Sequence, residues 1–389
     1  MRRNKEDDLP FFQPIRGPLR RLREALVHAQ SRRMRPGSLS VVLTLLVCVL
    51  YGCNDKAVDV AAKNPRNFVW TIDTLSYPGS SQTLMSCIWG SSPNDVYVGG
   101  HNERGYGKMY HFDGQKWRPV DLALGAIEID DLFGFGSGNV WGVGDLTFAN
   151  PNPPPNILDS SLAIRYDGKA WQGLNFVRQR QLVSIWGSAP NDIWMGGING
   201  TLFHFDGTSV TKDSVPFFIP KDADPFYCFY SISGGPNSDA YILLYAPYQG
   251  RGGERYYTFH HQSSGWELID STFSSYRRKI WMSPSGSLFA IGGGVFKKAP
   301  AGWQNLQMAG LTSLGISGVS DSDIFVVGMS AAGGTLGEVY HYNGTDWYQF
   351  KNLELQNVEF MGVWTDGSEV FVVGWSLSST QTTIILHGK

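Results

Sequence analysis

Cysteine is scarce in this chain of 389 residues, with four in all. Two of these, Cys48 and Cys53, lie in or beside an N-terminal apolar run, so the body holds only Cys87 and Cys228. A disulfide framework is thereby excluded, and stability has to come from packing. Charge is also sparse, at 17% of residues, and it is unevenly placed. Residues 1–52 carry ten Lys and Arg against four Asp and Glu, a local +6, which leaves −8 on the remainder of a chain with net charge −2. An acidic body with no basic stripe lacks the electrostatic footprint of a nucleic-acid binder, and none is expected as a partner. Zinc-ligand spacing, a phosphate-cradling glycine loop and a nucleophile elbow are missing as well, so no metal or cofactor is expected.

A long hydrophobic run is likewise absent. Leu39 to Tyr51 is apolar over about a dozen residues behind Arg32, Arg33 and Arg35, enough for a signal-peptide core but short of the ~20 residues of a membrane span. It ends in Leu50-Tyr51-Gly52-Cys53, which resembles the bacterial lipobox. The resemblance implies lipidation of Cys53 and a bacterial cell-envelope location, at the outer membrane or cell surface; an ordinary signal-peptidase site nearby would instead release a soluble secreted protein. The expected organisation is an N-terminal extension and signal over 1–52, a linker over 53–67 and one folded domain over 68–389.

What the body has in abundance is repetition. Ile88-Trp89-Gly90-Ser91-Ser92-Pro93-Asn94-Asp95 recurs as Ile185-Trp186-Gly187-Ser188-Ala189-Pro190-Asn191-Asp192, and each copy leads to His-Phe-Asp-Gly, at His111–Gly114 and His204–Gly207. Aligning weaker copies on the Trp89 position gives Trp89, Phe133, Trp186, Ser233, Trp281, Ser317 and Trp364, at spacings of 44, 53, 47, 48, 36 and 47. Seven units of this length suit the four-stranded blades of a β-propeller, an all-β fold. In each unit a turn rich in Ser, Pro, Asn and Asp leads to a strand with an aromatic at one position: Tyr97, Trp141, Trp194, Tyr241, Phe289, Phe325 or Phe371. That strand is expected to end at a glycine. A third strand then runs into Asp-Gly or Asn-Gly, a hairpin signal. The last unit stops short of a fourth strand, while Phe68 to Asp73 precedes the first unit and matches the missing piece. Pairing the two ends would close the ring and remove its exposed edges.

These repeats resemble Kelch-like seven-bladed propellers, and more closely the secreted bacterial lipoproteins built from Trp-Gly-Ser-x-Pro-Asn-Asp and Asp-Gly-x-x-Trp units. The resemblance implies a shared propeller architecture, and no catalytic set is recognisable among the residues.

Twelve of the thirteen tryptophans fall at repeat positions and read as packing between blades. His111, His204 and His341 share one repeat position and read as hydrogen-bonded scaffold. Binding residues are sought where the repeat is broken, on the face carrying the long irregular loops. Candidates there are His101, Arg104, Tyr106, the Pro-rich loop Leu146 to Ser160, Arg178, Arg180, Tyr245, Tyr248, Arg251, Arg255, Tyr276, Arg277, Arg278 and Trp375, the last placed in a loop after Gly374 as an exposed platform. Glu128, Asp130, Asp131, Asp222, Asp224 and Glu359 are assigned to inter-blade loops. Such a set fits a protein on the envelope that binds a glycan or an envelope protein, contacting the membrane through its lipid alone. The alternative is a carbohydrate-active hydrolase or lyase whose acids are these carboxylates, which would need to converge in one pocket.

Overall fold

The computed structural model describes residues 63–389 except 105, 126, 150–156, 177–178, 217–226, 249–252, 273–275 and 309. Cys53, Arg178, Asp222, Asp224 and Arg251 lie outside the described residues.

The seven units form seven antiparallel sheets, each a meander from an inner strand outward. The inner strands are Thr83–Ser92, Ile127–Gly136, Leu182–Ala189, Cys228–Gly234, Arg277–Met282, Leu311–Ser320 and Val358–Thr365. Blades are numbered 1 to 7 in that order. Six sheets have four strands, and blade 6 gains a two-residue fifth, Leu355–Gln356. Closure is as the sequence implies. Trp70–Leu75 pairs with Thr383–Gly388 over six residues and supplies the outer strand of blade 7. Val69 and Lys389 then exchange both backbone hydrogen bonds, at 2.9 and 3.1 Å.

The core is distributed. Seven buried clusters each join two adjacent blades, for example Cys87, Tyr97 and Met109 of blade 1 with Ile127, Ile129 and Leu132 of blade 2. The Trp-Gly dipeptide of the repeat is explained by this packing. The Trp89 ring lies over Gly134 of the next blade, where an added Cβ would sit 2.7 Å away, and Trp186 covers Gly234 in the same way at 2.9 Å. Trp364 covers Gly90 across the closure, so the contact runs past the point where the ends of the domain meet.

The aromatic of every second strand faces a basic or imidazole side chain on the third. In five blades this is His: the rings of His111, His204, His260, His341 and His387 lie over Tyr97, Trp194, Tyr241, Phe325 and Phe371 at 3.9–4.8 Å between centroids. Arg165 lies over Trp141 in blade 2 and Lys297 over Phe289 in blade 5. Each of these histidines also meets an acid at the start of its second strand. His204 Nε2 is 2.7 Å from Asp192 Oδ1, and Asp192 Oδ2 accepts from Ser238 of the next blade at 2.5 Å. Burial works against the charge of Asp192, but the bonds from Ser188, Ser238 and His204 hold its carboxyl below the usual range. The recurring histidines are therefore scaffold.

Two outcomes follow. His204→Ala should lower stability by about 1–3 kcal/mol, because it removes a stacked ring and strips a partner from Asp192, and it should leave binding unchanged. Thermal melts paired with a binding assay check both. Trp70 packs on Phe350 with ring centroids 5.3 Å apart, so Trp70→Ala should cost about 3 kcal/mol and deletion of Phe68–Leu75 more. An unchanged melting temperature after the deletion would disprove closure by this strand.

Candidate functional site

All seven inner strands carry an irregularity at the same place. One residue, three before the Trp89-type position, has no partner across the ladder: Ser86, Asp130, Val183, Tyr230, Arg278, Leu314 and Met361. This is a β-bulge, and an extra residue re-aims the side chains around it. Here all seven bulge residues line one central cavity of about 300 Å³.

The second strand makes room for the bulge. In six blades the residue paired just before it is glycine: Gly100, Gly144, Gly197, Gly292, Gly328 and Gly374. A Cβ there would fall 2.0–2.3 Å from an inner-strand carbonyl oxygen, which no side chain tolerates. Glycine thus serves close approach: in blades 3 and 5 the strand ends at it, as expected, while in blades 1, 2, 6 and 7 it continues beyond. The position after it, or after Leu244 in blade 4, carries His101, Asp145, Tyr245 and Trp375 in four of the blades. This corrects the placement of Trp375, which lies half-buried in the strand Val370–Ser376 and pairs with Thr383 and Glu359. Glu128, Asp130 and Asp131 likewise belong to the inner strand Ile127–Gly136, and Glu359 to Val358–Thr365, and not to loops.

In blades 1 to 4 the residue after the bulge hydrogen-bonds to the next blade. Cys87 Sγ donates to the carbonyl of Ile129 at 3.7 Å, Ser184 Oγ to that of Phe229 at 2.9 Å, and Ser231 Oγ to that of Ile280 at 3.2 Å. Asp131 does the same work by accepting from the backbone N–H of Ile185 and of Leu132, both at 3.1 Å. In blades 6 and 7 the position is glycine, and Gly315 packs directly on the backbone of Gly362. Asp131 is accordingly bound into the wall. Asp130, one residue earlier, faces the cavity, where Gln181 Nε2 donates to it at 2.9 Å.

The cavity wall is divided. Leu314 and Ile316, Met361 and Val363, and Ile88 make a contiguous apolar arc from blades 6, 7 and 1. Blades 2, 4 and 5 contribute Asp130, Asp131, Tyr230, Arg278 and Lys279, while blade 3 sets Val183 and Ile198 beside Gln181. Burial, with the neighbouring acids Asp145, Glu128 and Asp131 adding to it, pushes the Asp130 carboxyl up to about 7 against the bond from Gln181. Burial also raises the Tyr230 hydroxyl to about 12, with Arg278 opposing. Cys87 and Cys228 are free thiols in the same wall, both raised by burial.

Around the polar arc the tyrosines assemble. Tyr230 stacks on Tyr245 at 4.8 Å and 4° between planes, Tyr245 meets Tyr256 at 5.4 Å, and Tyr256 meets Tyr276 edge-on at 6.1 Å. The Arg278 guanidinium lies 5.2 Å over Tyr230. Of the sequence candidates, then, the structure joins Tyr245, Tyr276 and Arg278. Arg104 and Tyr106 stand apart on blade 1: Arg104 donates to the Gly79 carbonyl at 2.6 and 3.1 Å, and Tyr106 is exposed and stacks on Tyr77. Arg180 is exposed beside Gln181, Arg255 pairs with Ala246 in blade 4, and the backbone of Tyr248 pairs with Gly253. Sequence reasoning missed Tyr230, Gln181 and Lys279. The signal was present, because the position three before Trp89 varies from unit to unit while the Ile, Leu or Val just before the Trp position does not.

The Asp130 carboxyl has a stability consequence. The folded state retains its proton up to about pH 7, whereas an unfolded chain releases it near pH 4, so the contribution of Asp130 to stability falls as pH rises through that window, by at most ~1.4 kcal/mol per pH unit. Asp130→Asn should therefore gain stability over the parent as pH is raised from about 4 to 7, measured by denaturant titration at each pH. A difference that is constant across the window would contradict this assignment.

No protein-family model matches the chain, and no curated protein does. In fold it is similar to solved propellers. A structure of YCF48 bound to D1 peptide superposes with a TM-score of 0.55 at 16% identity, covering 83% of this chain and 96% of that one. YCF48 from Cyanidioschyzon merolae gives 0.54 at 14%, covering 81% and 98%. The WD40 β-propeller domain of Doa1 gives 0.52 at 10%, covering 82% and 97%. What the chain shares with all three is the propeller fold.

Proposed function

We propose that this chain is a binding protein of the bacterial cell envelope, exported by its N-terminal segment, anchored by lipid on Cys53, and recognising a protein partner through the mouth of the channel on the long-loop face. Kinship with the repeat-built lipoproteins rests on the Trp-Gly-Ser-x-Pro-Asn-Asp units and the lipobox-like Leu50–Cys53. The observation that carries the reading is the tyrosine cluster with Arg278 at the polar side of the channel, built where the repeat is broken. Tyrosine and arginine are the residues that most often anchor protein interfaces, since they bring large contact area and hydrogen bonds together. Tyr230 and Tyr245 spend a face on each other, which favours a partner read by edges and hydroxyls over a sugar ring needing an open platform. The peptide-bound propeller of similar fold supports a protein partner. Of the acids weighed for a hydrolase, Asp130 and Asp131 line the cavity, and Asp131 accepts from two backbone amides, which disfavours a catalytic pair there.

Two experiments test this. A photo-reactive phenylalanine analogue replacing Tyr276 in the intact envelope should give a protease-sensitive adduct, while the same probe at Leu268, exposed on the outer strand of blade 4, should give none. Equal adducts at both positions would refute recognition at the mouth. For the anchor, Cys53→Ser should release or mislocalise the protein, and globomycin should make the precursor accumulate; normal processing and membrane association of the Ser form would refute lipidation.

A further inference from the structure

Arg278 and Lys279 are neighbours on the inner strand of blade 5, and both line the central cavity. Among the described residues neither forms a hydrogen bond or an ion pair. Arg278 lies over Tyr230, and Lys279 acts only at longer range on Asp131 and Cys87. Both are partly exposed in the channel wall, so their donors are open to an incoming anion. Of the acids nearby, Asp131 accepts from two backbone amides and attracts Lys279 only at longer range, and Asp130 takes Gln181. Next to blade 5 begins the apolar arc, where Leu314, Ile316, Met361 and Val363 can offer hydrocarbon contact alone.

We propose that the central cavity is a binding site for a small carboxylate carried on an apolar body, its charge received by Arg278 and Lys279 and its hydrocarbon by the arc of Leu314, Ile316, Met361 and Val363. This goes beyond the partner reading and does not depend on it. The charge argues for a carboxylate: its two oxygens and single charge suit a guanidinium fork beside an ammonium, whereas a phosphate dianion would bring a second charge toward Asp130 and Asp131. The size follows from the volume. At ~30 Å³ for each water-sized unit, about 300 Å³ accommodates on the order of ten non-hydrogen atoms. A pocket of apolar walls with a few placed polar groups is the usual form of a small-molecule site.

The test uses the full chain with octanoate, which has about ten non-hydrogen atoms, followed by calorimetry and by the carbon-13 resonance of the labelled carboxylate. Octanoate should bind one to one with Kd below about 1 mM, and octanamide, of the same shape without the charge, should bind at least about tenfold more weakly. Arg278→Gln and Lys279→Met should each weaken octanoate by about tenfold or more with an unaltered melt, and Met361→Gln, at a partly exposed position of the apolar arc, should weaken it from the apolar side. Equal binding of octanoate and octanamide would overturn the proposal, as would no binding at about 10 mM. Folded Arg278→Gln and Lys279→Met proteins that bind like the parent would overturn the site, and displacement by equimolar inorganic phosphate would overturn the carboxylate class.

Discussion

The structure turns on the close approach of two strands at one place in each blade. An inner-strand carbonyl stands so near the second strand that a side chain there would lie 2.0–2.3 Å from it in six blades, and glycine is the residue that permits this. The approach accompanies the bulge, the bulge sets one residue per blade into the channel, and in blades 1 to 4 the residue after it hydrogen-bonds to the neighbouring blade. Blade 4 alone among the seven has Leu244 where the others have glycine. It is also the blade whose bulge residue, Tyr230, is covered by a second tyrosine from the next position, Tyr245. The same device that joins the blades therefore supplies the channel with its chemistry.

That coupling divides labour between adjacent residues. Asp130 and Asp131 have the same side chain and differ by one place along the strand, yet one faces the cavity and the other caps the Ile185 amide of the next blade. Ser184 and Ser231 occupy the position of Asp131 and make the equivalent bridge with hydroxyls. The bulge position carries no such duty and is free to vary, which explains a ring that runs from Asp130 to Met361 in chemistry.

Most of the fold was legible because packing imposes a period. The Trp positions, the aromatic of the second strand and its histidine recur for one reason each, and the unpaired ends matched one another as strand to gap. The site was less legible. Trp375 and the acids of blade 2 were assigned to loops because a glycine and an unaligned stretch resemble strand ends, whereas the glycine marks close approach and the strand continues beyond it. Tyr230 was overlooked because a single variable position inside a regular strand has no local signature. Its meaning appears only when all seven inner strands are laid side by side and the unpaired residue is seen to fall at the same offset.

The central claim is that the bulge turns seven named side chains into one channel. Single cysteines at Ser86, Val183, Leu314 and Met361, in a chain with Cys87 and Cys228 replaced by alanine, test it by their rate of reaction with a small methanethiosulfonate reagent under native conditions. The account predicts that all four react while cysteines one residue earlier, at Met85, Leu182 and Phe360, which are buried between blades, do not. Equal reactivity at the two sets of positions would contradict it.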